Sequence, residues 1–90
     1  MGIALVKIKI LPTSTEIDLE KLKETINSMV EGMGGKNCKI EEEPIAFGLV
    51  ALIAFFAWPE EKELELLEGD MNKLEEVSSI QVIDMRRAFG

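Results

Sequence analysis

Histidine and tyrosine are both missing from this 90-residue chain, and cysteine occurs once. Without histidine, zinc and haem sites lose their commonest ligand, and acid–base catalysis loses its commonest group. A solitary Cys38 can form neither an intrachain disulfide nor a CxxC redox pair, which points to a reducing cytoplasm. The residue itself reads as a small buried hydrophobe rather than a reactive thiol. Basic residues are outnumbered ten to seventeen, for a formal net charge of −7. Such a surface repels nucleic-acid phosphates, because affinity for DNA or RNA needs a footprint of Lys and Arg. No direct nucleic-acid partner and no cofactor or metal is expected. Long hydrophobic runs are lacking too. The uncharged stretch Ile45 to Trp58, between Pro44 and Pro59, falls short of the ~18–20 residues that cross a bilayer. The start Met1-Gly2-Ile3-Ala4-Leu5-Val6 has no basic signal-peptide region, and Val6 stands where a myristoylation signal wants Ser or Thr. No membrane association is expected.

What is present suits one domain over residues 1–90, burying roughly 60–65% of the surface its unfolded chain exposes. Residues 3–11 alternate, with Val6, Ile8 and Ile10 on one side and Lys7 and Lys9 on the other. That is the period of a half-buried strand, ended by Pro12. Asp18 is a helix N-cap, and Leu19, Leu22, Ile26, Met29 and Val30 form an apolar stripe over about 18–31. Gly32-Met33-Gly34-Gly35 closes that helix. Gly34-Gly35-Lys36 is a turn rather than a phosphate cradle, since a P-loop follows a strand and ends in Ser or Thr, where this chain has Asn37.

A second strand covers about 38–43. Its Glu41-Glu42-Glu43 run fits an edge, where charge discourages pairing with another chain. Alternation sends Glu42 to the face opposite Glu41 and Glu43, which argues against a metal site. Leu49 to Trp58 is apolar on both faces. Such a strand belongs in the middle of a sheet, or presents one end of its outer face to a partner. After Pro59 the spacing of Leu64, Leu67, Met71 and Leu74 is helical, though Gly69 weakens that helix by about 1 kcal/mol relative to alanine. Ile80, Val82 and Asp84 alternate with Gln81, Ile83 and Met85 in a last strand, followed by a short tail, Arg86 to Gly90.

The order is therefore strand, helix, strand, strand, helix, strand. Two right-handed crossovers joined by a hairpin give an α+β, ferredoxin-like βαββαβ sandwich: an antiparallel sheet of order 4-1-3-2 with both helices on one face. This architecture hosts many functions and selects none. An RNA-recognition module would place aromatics on strand 1, which has none. A metal chaperone would carry CxxC, and an acylphosphatase an arginine, in the loop that reads Leu11-Pro12-Thr13-Ser14 here. A small-molecule-binding regulatory domain stays open. Two features are left once the core is subtracted. Ala46, Phe47 and Gly48 lie in the connection between strands 2 and 3, where Phe47 is either tucked under the helices or exposed as an anchor. Arg86 and Arg87 are either solvated charge or the natural group of an acidic chain to reach a phosphate-bearing site.

Three segments sit in a recognisable frame: Lys7-Ile8-Lys9-Ile10-Leu11-Pro12-Thr13-Ser14, Ile17-Asp18-Leu19-Glu20-Lys21-Leu22-Lys23, and Glu41-Glu42-Glu43-Pro44-Ile45-Ala46-Phe47-Gly48-Leu49-Val50-Ala51-Leu52. Together with Ile80 to Arg87 they resemble the archaeal translation elongation factor 1-beta family. The stretch 60–72 lacks that family's usual Gly-Gly-Thr loop before the second helix. The resemblance implies a cytoplasmic guanine-nucleotide exchange factor for elongation factor 1-alpha, with no covalent chemistry of its own. It also implies that Phe47, with Ala46 and Gly48, docks on the GTPase. Eukaryotic relatives carry a C-terminal lysine that disturbs the GTPase's Mg²⁺ region. That lysine aligns near Gly90 and is absent here, so Arg86 or Arg87 is the candidate substitute.

Overall fold

The computed structural model describes the backbone of residues 2–89 and the side chains through Arg87. The elements are β1 (Ile3–Pro12), α1 (Leu19–Gly32), β2 (Lys36–Pro44), β3 (Val50–Pro59), α2 (Leu64–Asn72) and β4 (Val77–Phe89), with a single turn at Ala46–Gly48 between β2 and β3. The strands form one antiparallel sheet in the order β2-β3-β1-β4. Read from the other edge, this is the ferredoxin-like order 4-1-3-2, with the apolar β1 and β3 central and acidic β2 at an edge.

Alternation decides which face is covered. Ala4, Val6, Ile8 and Ile10 of β1 and Leu52, Ala54, Phe56 and Trp58 of β3 are buried with Leu22, Ile26 and Val30 of α1 and Leu64, Leu67 and Met71 of α2. Fully burying an aliphatic or aromatic side chain contributes about 1.5–3 kcal/mol, so this one layer supplies most of the driving force. Phe56 and Trp58 meet edge to face with ring centroids 5.9 Å apart, a geometry that suits the ring quadrupoles.

The helix ends are built locally. Asp18 Oδ1 accepts from the Lys21 N–H at 3.2 Å. At the far end the Gly34 and Gly35 N–H groups donate to the carbonyls of Glu31 and Val30. Gly34 has φ +100°, and a Cβ on Gly35 would stand 2.5 Å from Val30 Cγ1, so neither position takes a larger residue freely. These glycines form the turn expected of them. Trp58 Nε1 donates to the Lys62 carbonyl at 3.0 Å, and Lys62 Nζ donates to the Met33 carbonyl at 2.8 Å. The two loops at this end of the molecule are thereby tied together.

The last strand differs from the sequence reading. It starts at Val77 rather than near Ile80, and it extends through the arginines to Phe89. Its ladder with β1 runs from Pro12↔Val77 to Ile3↔Phe89, with register shifts at three places. The stretch read as a free tail is held because β1 offers a partner all the way back to Ile3. Bulges absorb the extra residues of β4 and break the simple alternation on which the sequence reading relied.

Candidate partner-docking site

The β2–β3 connection turns on Phe47. Pro44 pairs with Val50, and the loop between them is closed by the Ile45 N–H donating to the Leu49 carbonyl at 2.8 Å and the Leu49 N–H donating to the Ala46 carbonyl at 3.2 Å. Reversing direction in so few residues requires left-handed backbone, and two consecutive residues supply it: Phe47 at φ 62°, ψ 29°, and Gly48 at φ 78°. Glycine adopts this region freely, but for phenylalanine it costs roughly 1–2 kcal/mol. The Phe47 side chain gains nothing from the core in return. It is 95% exposed, the most exposed of the large hydrophobic residues described. Of the two placements the sequence left open, tucked or projecting, the ring takes the second. Ala46 and Gly48 are exposed beside it, so the ring stands at the tip with small neighbours and an approaching surface meets it unobstructed.

Arg86 and Arg87 lie at the opposite end. Being adjacent on a strand, they point to opposite faces of the sheet. Arg87, opposite Ala4, is on the helical side, where Nε and Nη2 reach Glu60 at 2.9 and 3.0 Å. The guanidinium holds the Glu60 carboxyl below the usual carboxylate range by hydrogen bonding and by charge. Arg86, opposite Leu5, is on the open side, and its Nε lies 3.1 Å from Asp84 Oδ2. Neither is a tail residue, which corrects the sequence reading. The Phe47 loop opens β3 and Glu60 follows its end, so about ten residues at about 3.3 Å each, roughly 30 Å, separate them. The whole molecule is 42 Å long. The two sequence-derived features are therefore two ends of the protein and not one pocket. Gly90, near which the resemblance places the lysine of eukaryotic relatives, lies outside the described residues.

The sequence offers the sheet face away from the helices only as an alternative, for one end of the third strand. Its outward positions carry Lys7, Lys9, Lys36, Lys39 and Arg86 against Glu41, Glu43 and Asp84, as the Cα pairings of the ladders place them. Cations thus predominate there in a chain of net charge −7. Lys9 pairs with Glu43 at 3.7 Å, and Lys7 Nζ lies 4.8 Å above the centre of the Phe55 ring. A groove of about 380 Å³ opens beside them, floored by Leu5, Phe55 and Ala57 and rimmed by Lys7, Asp84 and Arg86. The signal in the sequence was the apolarity of both faces of 49–58. A buried central strand shows the same pattern, so that signal alone could not locate a groove.

Of the acidic triplet, Glu42 turns toward the helices and meets Lys23 of α1 at 2.7 Å, while Glu43 turns outward to Lys9. Glu42 also raises the Lys23 pKa, and Glu20 adds to that. The triplet is split as expected, and through Lys23 the polar face of α1 is tied to β2. Among the described residues no group of three acidic, Cys or His side chains is placed to hold a metal ion. No described helix is long and apolar enough to cross a membrane. Cys38, in β2, is half-buried against the core, and desolvation, with a smaller push from Glu31, raises its thiol to about 11. It is a packing residue.

The loop presents one bare aromatic on left-handed backbone, and comparison with known proteins supplies the context. Residues 5–88 match the family model described as the EF-1 guanine nucleotide exchange domain. The chain belongs to this family. The elongation factor 1-beta of Methanobrevibacter smithii is 43% identical over 88 residues, covering 97% of this chain and 98% of the relative. The elongation factor 1-beta of Methanothermobacter thermautotrophicus is 42% identical with the same coverage, and that of Methanococcus maripaludis strain C5 is 38% identical over 87 residues, covering 94% and 97%. Nucleotide exchange in translation elongation is the activity the exchange domain has to serve.

Proposed function

We propose that this chain, as a single cytoplasmic exchange domain, accelerates GDP release from elongation factor 1-alpha and performs no covalent chemistry itself. The reading is supported by the family match and carried by one observation: Phe47 is held almost fully exposed at a backbone conformation unfavourable for it. Strain of that kind persists where function requires a fixed presentation. An aromatic entering a desolvated pocket is the usual form of an interface anchor.

Exchange factors act by binding the nucleotide-poor GTPase more tightly than the GDP-bound one. Linkage then requires that GDP weaken the factor by the same ratio by which the factor weakens GDP. In a P-loop GTPase the groups to be disturbed are those holding the phosphates and Mg²⁺. Phe47 fixes one end of this protein on the partner. The opposite end delivers Arg86 or Arg87 toward that anionic region, in the role the missing lysine has in eukaryotic relatives. Each arginine must first leave an ion pair at the surface, which solvent screening keeps weak.

The rate of release of a fluorescent GDP analogue from elongation factor 1-alpha tests this. The wild-type chain accelerates release, and Phe47→Ala loses most of that acceleration while folding normally. An unaccelerated wild-type reaction refutes the exchange reading, and an undiminished Phe47→Ala refutes the docking role. Replacing both Arg86 and Arg87 by Gln tests the second end independently.

A further inference from the structure

The exchange reading leaves open which broad side of the domain meets the GTPase, and the sidedness of charge answers it. The helical side carries most of the carboxylates, whereas the outward positions of the sheet have more cations than anions. Among the described residues Lys36 and Lys39 have no ion-pair partner. Apolar surface is exposed on the same side. Leu5 is 52% exposed and Ile3 38%, although both belong to a central strand where burial is the norm. The groove over Leu5, Phe55 and Ala57 is open and, at about 380 Å³, lies near the lower end of the size range of small-molecule pockets, about 300–1,000 Å³. It suits one large side chain from another protein better than an enclosed cofactor. The outward positions of β3 run from beside the Phe47 loop to this groove, so the face joins the Phe47 end to Arg86, while Arg87 points to the helical side.

We propose that the open face of the sheet is the side that lies against the GTPase, and that its groove receives an apolar side chain flanked by carboxylates. This rests on the exchange reading. The partner segment is acidic, with one exposed large hydrophobe at its centre. Lys36 and Lys39 attract it, and Leu5 with Phe55 forms the floor on which it seats. The charge asymmetry also orients the encounter, because the helical side repels the same segment.

Association with nucleotide-free elongation factor 1-alpha, measured by stopped flow across a salt series, tests the inference. The double variant Lys36→Glu/Lys39→Glu should associate about tenfold more slowly at low salt and show a flatter salt dependence. Lys21→Glu/Lys73→Glu, with the same change in total charge on the helical side, should stay within about twofold of wild type. Leu5→Gln should dissociate faster while associating at an unchanged rate. Thermal melts confirm that each variant is folded. Equal slowing by both charge variants, or no slowing by the sheet pair, overturns the proposal while GDP release by the wild type keeps the exchange reading intact. Absence of wild-type release removes the exchange reading itself. Wild-type binding to a single-stranded RNA that Lys36→Glu/Lys39→Glu abolishes would assign the face to nucleic acid and likewise overturn it.

Discussion

Replacing Phe47 by glycine should make the protein more stable and less active at once. The ring is 95% exposed, so its removal forfeits almost no buried area. The backbone stays as it is, because φ 62°, ψ 29° is a region glycine occupies without a Cβ clash. Relief of the left-handed strain is worth roughly 1–2 kcal/mol. Against it stands the greater freedom of glycine in the unfolded chain, about 0.4–1 kcal/mol. The expected balance is a stabilisation of up to about 1.5 kcal/mol, and about 1 kcal/mol in a domain of this size raises Tm by about 4–8 °C. Exchange moves the other way. Removing a central aromatic anchor costs about 2 kcal/mol or more of binding, or about thirtyfold in kcat/KM for GDP release. Phe47→Ala separates the two contributions, since it loses the anchor while keeping most of the strain. Thermal melts and GDP-release kinetics on the same preparations provide the readout. A Phe47→Gly protein less stable than wild type by 1 kcal/mol would show that the ring packs on something, and the claim of a strained, presented anchor would be wrong.

Two glycines give opposite expectations in the same melting assay. Gly69→Ala should stabilise by about 1 kcal/mol, because a Cβ there meets nothing within 4 Å and the position is inside α2. Gly35→Ala should destabilise by about 1–3 kcal/mol, since its Cβ would press on Val30 Cγ1 at 2.5 Å and the Val30 carbonyl at 3.0 Å. The Glu60–Arg87 pair predicts a pH effect. Glu60 has its pKa lowered in the folded state, so its contribution is present above the unfolded-state carboxyl value and is lost as pH falls through the lower folded value. Glu60→Gln should therefore flatten the acid limb of a stability–pH curve, and an unchanged limb would show the pair to be inert. Cys38 runs in the alkaline direction. With its thiol raised to about 11, alkylation of the native protein should stay slow at pH 8 and accelerate only near pH 11, and the associated stability is lost as pH rises from about 9 through 11. Rapid labelling at pH 8 would refute the burial argument.

The fold was legible because its signals are local and periodic. The two-residue alternation of 3–11, the helical stripe from Leu19 to Val30, and the carboxylates of 41–43 each name an element, and right-handed crossovers leave few ways to join them. The bulges were not legible. Three register shifts let thirteen residues of β4 pair along ten of β1, and an alternation read from Ile80 onward cannot anticipate them. That is why Arg86 and Arg87 looked like a tail. Phe47 was visible in the sequence as an oddity and undecidable as a structure, because projection depends on a loop closed by backbone hydrogen bonds that any residue supplies. The groove over Leu5 and Phe55 was masked by degeneracy, since an apolar outer face means burial in one context and docking in another.

Separation of the two ends constrains how any exchange reaction here can proceed. A single local plug would need Phe47 and the arginines within one side chain's reach, and the strands between them hold them roughly 30 Å apart. In the proposed exchange mechanism the sheet acts as a strut. With the Phe47 end seated, the position of Arg86 on the partner is fixed by the length of β3 and its ladder with β1 rather than by the flexibility of a tail. A change that shortens or softens the strut should weaken exchange even though it touches neither end. The same reasoning separates this domain from an anchor-and-tail design. There, lengthening the C-terminal segment by a few glycines would be tolerated. Here, an inserted residue between Asp84 and Arg86 that shifts the register by one exchanges the faces of the two arginines and should abolish whichever contribution they make while leaving Phe47 docking intact.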